Sequence, residues 1–396
     1  MKSAVRLSLH GAWLSALTSL ALAGSRAQAA ESIAVDLYRT NCATCHDDGV
    51  AAPSAGAQAA GGQAPAAQAP GRALFRLMVP EQVYTSLDKG SMARQGSQLS
   101  VTERRVLAEY LTEKRFGSQP DDPIPKSAYC NDAGNRFAGT LDDSAWNGWG
   151  VTPDNLRYQP SPGGGLTAAT VSRLKLKWAF GFPGESSAST QPVIAGGRLY
   201  VGSVAGNVYA LDARTGCIHW RFVTEAGVRA AAVLGKDPRG VLTVYFGDLQ
   251  NYVYAVDART GRQSWRVRVE DHPIARITGS PALYNGTLYV PVASREESQP
   301  GDPKYECCTA RGSLVALDAT NGRQRWKSYV IADAPQPTQK NAAGTQMYGP
   351  AGGGIWSAPT IDTKLRRIYV GTGNSYSPPA QSTTDAIVAF DMKTGK

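Results

Sequence analysis

Two pairs of cysteines in this sequence are spaced for chemistry rather than packing. The first lies in Cys42-Ala43-Thr44-Cys45-His46. Two thiols on one helical turn can each add to a haem vinyl group, and the adjacent imidazole then faces the iron. Covalent haem c is therefore expected here, with thioether bonds at Cys42 and Cys45 and His46 as the proximal ligand. A thioredoxin-like dithiol shares the C-x-x-C, but it needs no histidine and sits in a βαβ pattern that this sequence lacks. Of the four histidines only His46 has this context; His219 and His272 read as structural. The second pair is Cys307-Cys308, in Tyr305-Glu306-Cys307-Cys308-Thr309-Ala310-Arg311-Gly312. Neighbouring cysteines in an oxidising compartment can close a small ring, a flat and hard surface. Cys130 and Cys217 complete the six, and the sequence leaves open whether they pair or stay free.

A haem site needs helices to hold it and a sixth ligand. Ser100-Val101-Thr102-Glu103 reads as a capping box opening an amphipathic helix from Glu103 to Leu111. Just before it stands Lys89-Gly90-Ser91-Met92. Together with the haem motif this resembles the small all-α class I cytochrome c domain, over residues 31–116. The resemblance implies Met92, in the loop before the last helix, as the second axial ligand, a soft thioether that raises the potential. Met78 competes, but it lies in the apolar run Leu74 to Val79 and reads as core. Residues 50–71, rich in Ala, Gly, Gln and Pro, read as a low-complexity insertion.

Beyond Trp146 the sequence repeats itself. Val208 to Gly216, Val253 to Gly261, Leu314 to Gly322 and Ile387 to Gly395 share an apolar alternation, an Asp and a Thr/Asn-Gly corner. Trp220, Trp265 and Trp326 follow the first three copies. Each copy predicts a strand, a turn with a positive-φ glycine, and a returning strand. One hairpin cannot bury its apolar face, so such units stack radially as propeller blades. The signature resembles the tryptophan-docking motif of the eight-bladed quinoprotein dehydrogenases. A propeller scaffold of the same motif with no cofactor, here a haem-bearing binding protein, is the alternative.

Several residues resemble the quinohaemoprotein alcohol dehydrogenases, in particular the cytochrome-type polyvinyl-alcohol dehydrogenases, whose haem domain precedes the propeller. In that family a ring of adjacent cysteines forms one wall of the site for pyrroloquinoline quinone (PQQ), which implies that role for Cys307 and Cys308. Gly352-Gly353-Gly354-Ile355-Trp356 and Gly371-Thr372-Gly373-Asn374 resemble the family segments in which a Trp stacks on the quinone and an Asn binds calcium. Trp356 and Asn374 inherit those roles. Ile277-Thr278-Gly279 matches the strand whose Thr hydrogen-bonds the quinone, and Ser294-Arg295-Glu296-Glu297 the Ser-x-x-Glu that gives calcium its carboxylate. Glu297 is the better candidate by that spacing and Glu306 the alternative. Arg229, after Gly227-Val228, is a candidate partner for a quinone carboxylate. The implied chemistry is alcohol or polymer oxidation: calcium polarises the quinone, a carboxylate takes the hydroxyl proton, and hydride passes to the cofactor. Electrons then reach the haem and an external acceptor such as a soluble cytochrome. The family's base is an Asp beyond the fourth corner, past Lys396, and Asp385 is a poor substitute. The expectation is a C-terminally truncated propeller with about half its blades and no catalytic residue, which takes up haem but turns over no alcohol alone.

Composition agrees with this reading. The 396 residues are 42% hydrophobic, with 42 Gly and 24 Pro, which suits a loop-rich β protein better than a disordered chain. The net charge of +9 is spread without a Lys/Arg block, so nucleic-acid binding has no support. Lys2 and Arg6, the apolar stretch from Leu7 to Ala23 and Ala27-Gln28-Ala29 form the layout of a secretory signal peptide over residues 1–29. No other apolar run is long enough to span a bilayer. The expected order is signal peptide, cytochrome domain at 31–116, linker at 117–145 and a partial propeller at 146–396, in a periplasm.

Overall fold

The computed structural model describes residues 32–47, 71–117, 124–159 and 165–396, apart from Leu77, Gly90, Ser91, 132–136, Ala138, 143–144, Gly184, 186–187, Pro238 and Pro300. The expected signal peptide and nearly all of the expected 50–71 insertion lie outside this set. The chain divides into two compact units, Met1–Pro123 with Pro183–Ser186, and Ile124–Phe182 with Ser187–Lys396.

The first unit is helical. A helix over residues 32–41 leads through Cys42 into Ala43–His46, and Arg72–Phe75, Pro80–Lys89, Ala93–Gly96 and Val101–Thr112 follow. Pro80 opens its helix at the first turn, where a missing N–H costs nothing. The expected capping box is present: the Glu103 amide donates to Ser100 Oγ at 3.2 Å, and the Ser100 amide donates to the Glu103 carboxylate at 2.7 Å. The helix therefore starts at Val101, two residues earlier than expected, behind the same cap. Tyr38, Phe75, Val83, Leu87, Leu107 and Leu111 bury the core of this unit. Gly96 has no alternative, because a Cβ there would collide with the Leu87 carbonyl.

The second unit is built of antiparallel sheets. Val193–Ala195, Arg198–Gly202, Asn207–Asp212 and Ile218–Val223 form the first, in sequence order. Val233–Lys236, Leu242–Gly247, Tyr252–Asp257 and Gln263–Arg268 form the second. Ala282–Tyr284, Thr287–Ser294, Ser313–Asp318 and Gln324–Tyr329 form the third, with Ala275–Arg276 on the far end of the long strand. Thr360–Asp362, Arg367–Gly371 and Ile387–Asp391 make a fourth of three strands. The repeat explains this regularity. At each corner an Asp accepts the amides that follow it: Asp257 Oδ1 holds the Arg259 and Thr260 amides at 2.9 and 2.7 Å, and Asp391 Oδ1 those of Lys393 and Thr394.

Each tryptophan docks on the corner of the next copy. The indole N–H of Trp220 donates to Ala258 O at 3.1 Å, that of Trp265 to Ala319 O at 3.0 Å, and that of Trp326 to Met392 O at 3.3 Å. Trp178 makes the same bond to Ala213 O at 3.2 Å, ahead of the first copy recognised in the sequence. The corner glycine faces the ring: a Cβ on Gly261 would lie 2.7 Å from Trp220. Its φ of 72° independently demands glycine.

Residues 124–145, expected as linker, belong to the second unit. Cys130 is disulfide-bonded to Cys217, the Cys130 amide donates to Ile218 O at 2.9 Å, and Trp146 exchanges two backbone hydrogen bonds with Ile194. The covalent tie and this pairing hold the segment against the first sheet, which composition could not reveal.

Candidate functional site

In the helical unit His46 is 6% exposed and its ring lies 5.1 Å from that of Phe75. Cys42 is half-buried at the edge of the same apolar cluster, and the Cys45 side chain lies outside the described set. Met92 and Met78 both pack against that cluster, which also holds Phe75, the ring neighbour of His46. The Met92 loop is anchored where its amide donates to Ser86 O at 3.0 Å. Next to His46, Asp47 accepts the Tyr38 hydroxyl at 2.7 Å. Arg72 stacks on Tyr38 and Tyr110 and donates to the Tyr110 hydroxyl at 2.6 Å. An apolar wall with a buried imidazole and soft sulfur donors fits a haem.

In the sheet unit the residues singled out from sequence converge. Cys307 and Cys308 are bonded to each other and buried with Ala351. Tyr376 packs on this ring, and its hydroxyl lies 3.5 Å from Ser294 Oγ. Two residues before Tyr376, the Asn374 carbonyl accepts the Gly353 amide at 2.9 Å, and the Gly373 amide donates to Gly354 O at 2.9 Å. Trp356 stands two residues after Gly354, 68% exposed, with its indole edge beside Gly373. On the other side of the Trp, Gly279 abuts the Ser357 carbonyl so closely that a Cβ would reach it at 2.6 Å. Thr278 stands next to that glycine with its hydroxyl buried and without a partner. The glycines thus earn their positions by close approach of backbone.

The expected calcium donors separate. Asn374 and Glu297 are both exposed, and Glu297 is the middle residue of the short turn Glu296–Ser298 that follows Ser294. Burial and the charges of Glu297 and Glu296 push the Tyr376 phenol up, so Glu297 lies within electrostatic reach of the Asn374 strand. Glu306 is exposed on the Cys307–Cys308 loop. Among the described residues no three His, Cys, Asp or Glu side chains converge as a metal cage. Asp385 is exposed, with its amide on the Gly373 carbonyl at 3.0 Å. Arg229 is exposed and lies near Arg276.

Sequence spacing missed Glu296, the buried neighbour of Glu297. Its carboxylate accepts the Thr309 amide at 2.9 Å on both oxygens, the Ala310 amide at 2.6 Å and the Tyr305 hydroxyl at 3.0 Å. It clamps the loop on both sides of the cysteine ring. His272, expected to be structural, braces the same loop through Thr309 Oγ1 at 2.9 Å. The sequence signal was present only as two adjacent acids, one of which the short turn rotates inward.

These residues lie on neighbouring segments: the cysteine ring packs with Ala351 and Tyr376, Trp356 lies beside Gly373, and Thr278, its hydroxyl buried without a hydrogen-bond partner, adjoins the Gly279–Ser357 contact. A planar quinone fits that donor set.

Comparison with known proteins gives the following. Residues 146–396 match the PQQ family described as glucose/ethanol/alcohol dehydrogenase, beta-propeller domain. Residues 29–111 match the family described as cytochrome C oxidase, cbb3-type, subunit III. A polyvinylalcohol dehydrogenase of a Pseudomonas species is 38% identical over 91% of this chain and 55% of its own length. A second, from Sphingopyxis sp. strain 113P3, is 34% identical over 91% and 54%. The chain therefore spans about half the length of these curated relatives. The solved quinohemoprotein alcohol dehydrogenase ADHIIG of Pseudomonas putida HK5 superposes with a TM-score of 0.51, at 25% identity, over 68% of this chain and 41% of that one.

Proposed function

The chain belongs to the PQQ-dependent glucose/ethanol/alcohol dehydrogenase propeller family and carries a cytochrome domain, and on that premise we propose that it holds the quinone pocket and haem c of an alcohol dehydrogenase. The substrate class is alcohols, secondary or polymeric, in line with the polyvinylalcohol dehydrogenases it resembles. The observation that carries the reading is the meeting of Thr278, Trp356, Asn374 and the Cys307–Cys308 ring at one place.

When bound, PQQ supplies the two-electron chemistry of alcohol oxidation, and the chain supplies position and electrostatics. The cysteine ring forms one wall and the exposed face of Trp356 the other. Thr278 Oγ1, buried without a partner, gives its hydrogen bond to the cofactor. The Asn374 amide oxygen and the Glu297 carboxylate offer hard oxygens to a calcium ion. They are fewer than the six to eight oxygens that calcium takes, so a bound ion would need further oxygens from outside these two side chains. Glu297, beside the Asn374 strand, serves here in preference to Glu306.

Cys42, Cys45, His46 and Met92 would hold a haem c, which would supply one-electron transfer to an external acceptor. Residues 31–116 form the cytochrome domain and 146–396 the propeller, with 124–145 docked on the propeller. The location is a periplasm reached through the signal peptide at 1–29, where the Cys130–Cys217 and Cys307–Cys308 bonds persist. Among the described residues no helix is long and apolar enough to cross a membrane.

Titration of PQQ with Ca²⁺ into the purified, haem-loaded chain tests this. Saturable quenching of quinone fluorescence with a rise in melting temperature supports the reading. A chain that incorporates haem but binds no quinone at any calcium concentration refutes it.

A further inference from the structure

One side chain brackets the turn that carries His46. The helix Ala43–His46 is four residues long and has no side-chain cap. That is well below the roughly 12–15 residues at which an isolated helix becomes stable, so its neighbours must hold it. Tyr38, one turn upstream, fastens it at both ends. Its carbonyl accepts the Cys42 amide at 2.8 Å, and its hydroxyl donates to the Asp47 carboxylate at 2.7 Å. The turn thus enters and leaves on one residue that is only 2% exposed.

Tyr38 is itself fixed. The Arg72 guanidinium lies 4.8 Å from its ring and 5.1 Å from that of Tyr110, and it donates to the Tyr110 hydroxyl at 2.6 Å. Tyr110 sits on the helix Val101–Thr112, and Arg72 opens the helix Arg72–Phe75. Phe75, at the other end of that short helix, lies 5.1 Å ring to ring from His46. The imidazole is therefore held along its backbone through Tyr38 and Asp47 and across its ring by Phe75, and Arg72 joins the two supports. Groups that fix a ligating histidine in this way govern its orientation and its strength as a ligand.

We propose that Tyr38 is a positioning residue for the axial imidazole: through the Asp47 carboxylate it sets the end of the His46 turn, and with it the orientation of the ring toward a haem iron. Neither Tyr38 nor Asp47 belongs to the C-x-x-C-H motif, and only the fold brings them together. The role rests on the haem reading of this unit.

The full chain is tested haem-free and haem-loaded, as wild type, Tyr38→Phe, Asp47→Ala and Asp47→Asn. Phenylalanine keeps the ring beside Arg72 and removes only the hydroxyl, and asparagine keeps an acceptor oxygen at position 47. In the haem-free chain, hydrogen exchange at the His46 and Asp47 amides is expected to quicken roughly 10-fold in Tyr38→Phe and Asp47→Ala, the worth of one hydrogen bond to a charged group, and less in Asp47→Asn. In the haem-loaded chain, Tyr38→Phe and Asp47→Ala are expected to shift the g-values of the low-spin ferric signal and the reduction potential alike. The double variant Tyr38→Phe/Asp47→Ala is expected to go no further, and Asp47→Asn to keep the wild-type spectrum. Wild-type exchange and spectrum in Tyr38→Phe, or a shift there that Asp47→Ala does not share, overturns the proposal while the haem reading stands. A lower melting temperature with an unmoved spectrum makes Tyr38 merely structural and overturns it too. Wild type that attaches no haem overturns the haem reading, and the axial role falls with it whatever the exchange rates.

Discussion

The Glu296 carboxylate holds the Thr309 amide 2.9 Å from each of its oxygens and takes the Ala310 amide on the second. One fully buried acid thus fixes the chain that leaves the Cys307–Cys308 ring. The relation matters because a rigid wall orients a planar ligand only if the wall itself cannot move.

Glu296→Gln puts an amide N–H₂ against backbone N–H groups and leaves at least one of them without an acceptor. The expected cost is about 1–3 kcal/mol, with faster hydrogen exchange at Thr309 and Ala310 and a weakened quinone complex. Unchanged exchange at those two amides contradicts the clamp.

The interlocking corners predict an asymmetry between two small changes. Gly261→Ala forces a methyl against Trp220 and requires a left-handed alanine, each effect on the order of 1–3 kcal/mol. Trp220→Phe keeps most of the ring but abandons the Ala258 carbonyl, a loss of about 1–3 kcal/mol. Calorimetry of the propeller transition separates the two, and the haem spectrum of either variant is expected to stay unaltered.

Acid and alkali act on the Glu270–Lys327 pair, joined at 2.6 Å and largely buried. Burial opposes ionisation of Glu270, but the Lys327 ammonium outweighs it and holds the carboxyl below its ordinary value. The stability this lends is present above the unfolded glutamate pKa, about 4.3, and is lost as pH falls through the lower folded value. Burial also opposes charge on Lys327, and Glu270 outweighs it, so the lysine contribution is lost only as pH rises through a value above about 10.4. Glu270→Gln is expected to lower stability at neutral pH and to flatten the acid limb. An acid limb identical to wild type refutes the assignment.

How far the sequence reached follows from what spacing encodes. The propeller corners were legible because an Asp, a Thr or Asn and a Gly at fixed offsets specify their own local hydrogen bonds. Trp178 was not, because it precedes the first recognisable run and docks on Ala213, far along the chain. The cysteine ring, Thr278, Trp356 and Asn374 were found as motifs, but their meeting depends on glycines such as Gly279 whose neighbour Ser357 is remote in sequence. Glu296 and Glu297 differ by one position, and only the fold of the turn decides which is buried.

The haem ligand is decided between two half-buried methionines of one cluster. Met92→Ala is expected to lower the reduction potential and abolish the weak long-wavelength absorption of thioether-ligated ferric haem. Met78→Ala is expected to lower stability and keep that absorption. The opposite pattern transfers the ligand role to Met78.

The central claim is tested most directly by a crystal structure of the full chain with PQQ and Ca²⁺. The account predicts the quinone lying between the Cys307–Cys308 ring and the Trp356 indole, within hydrogen-bond reach of Thr278 Oγ1. Quinone bound elsewhere on the sheets, or with either wall unengaged, would contradict it.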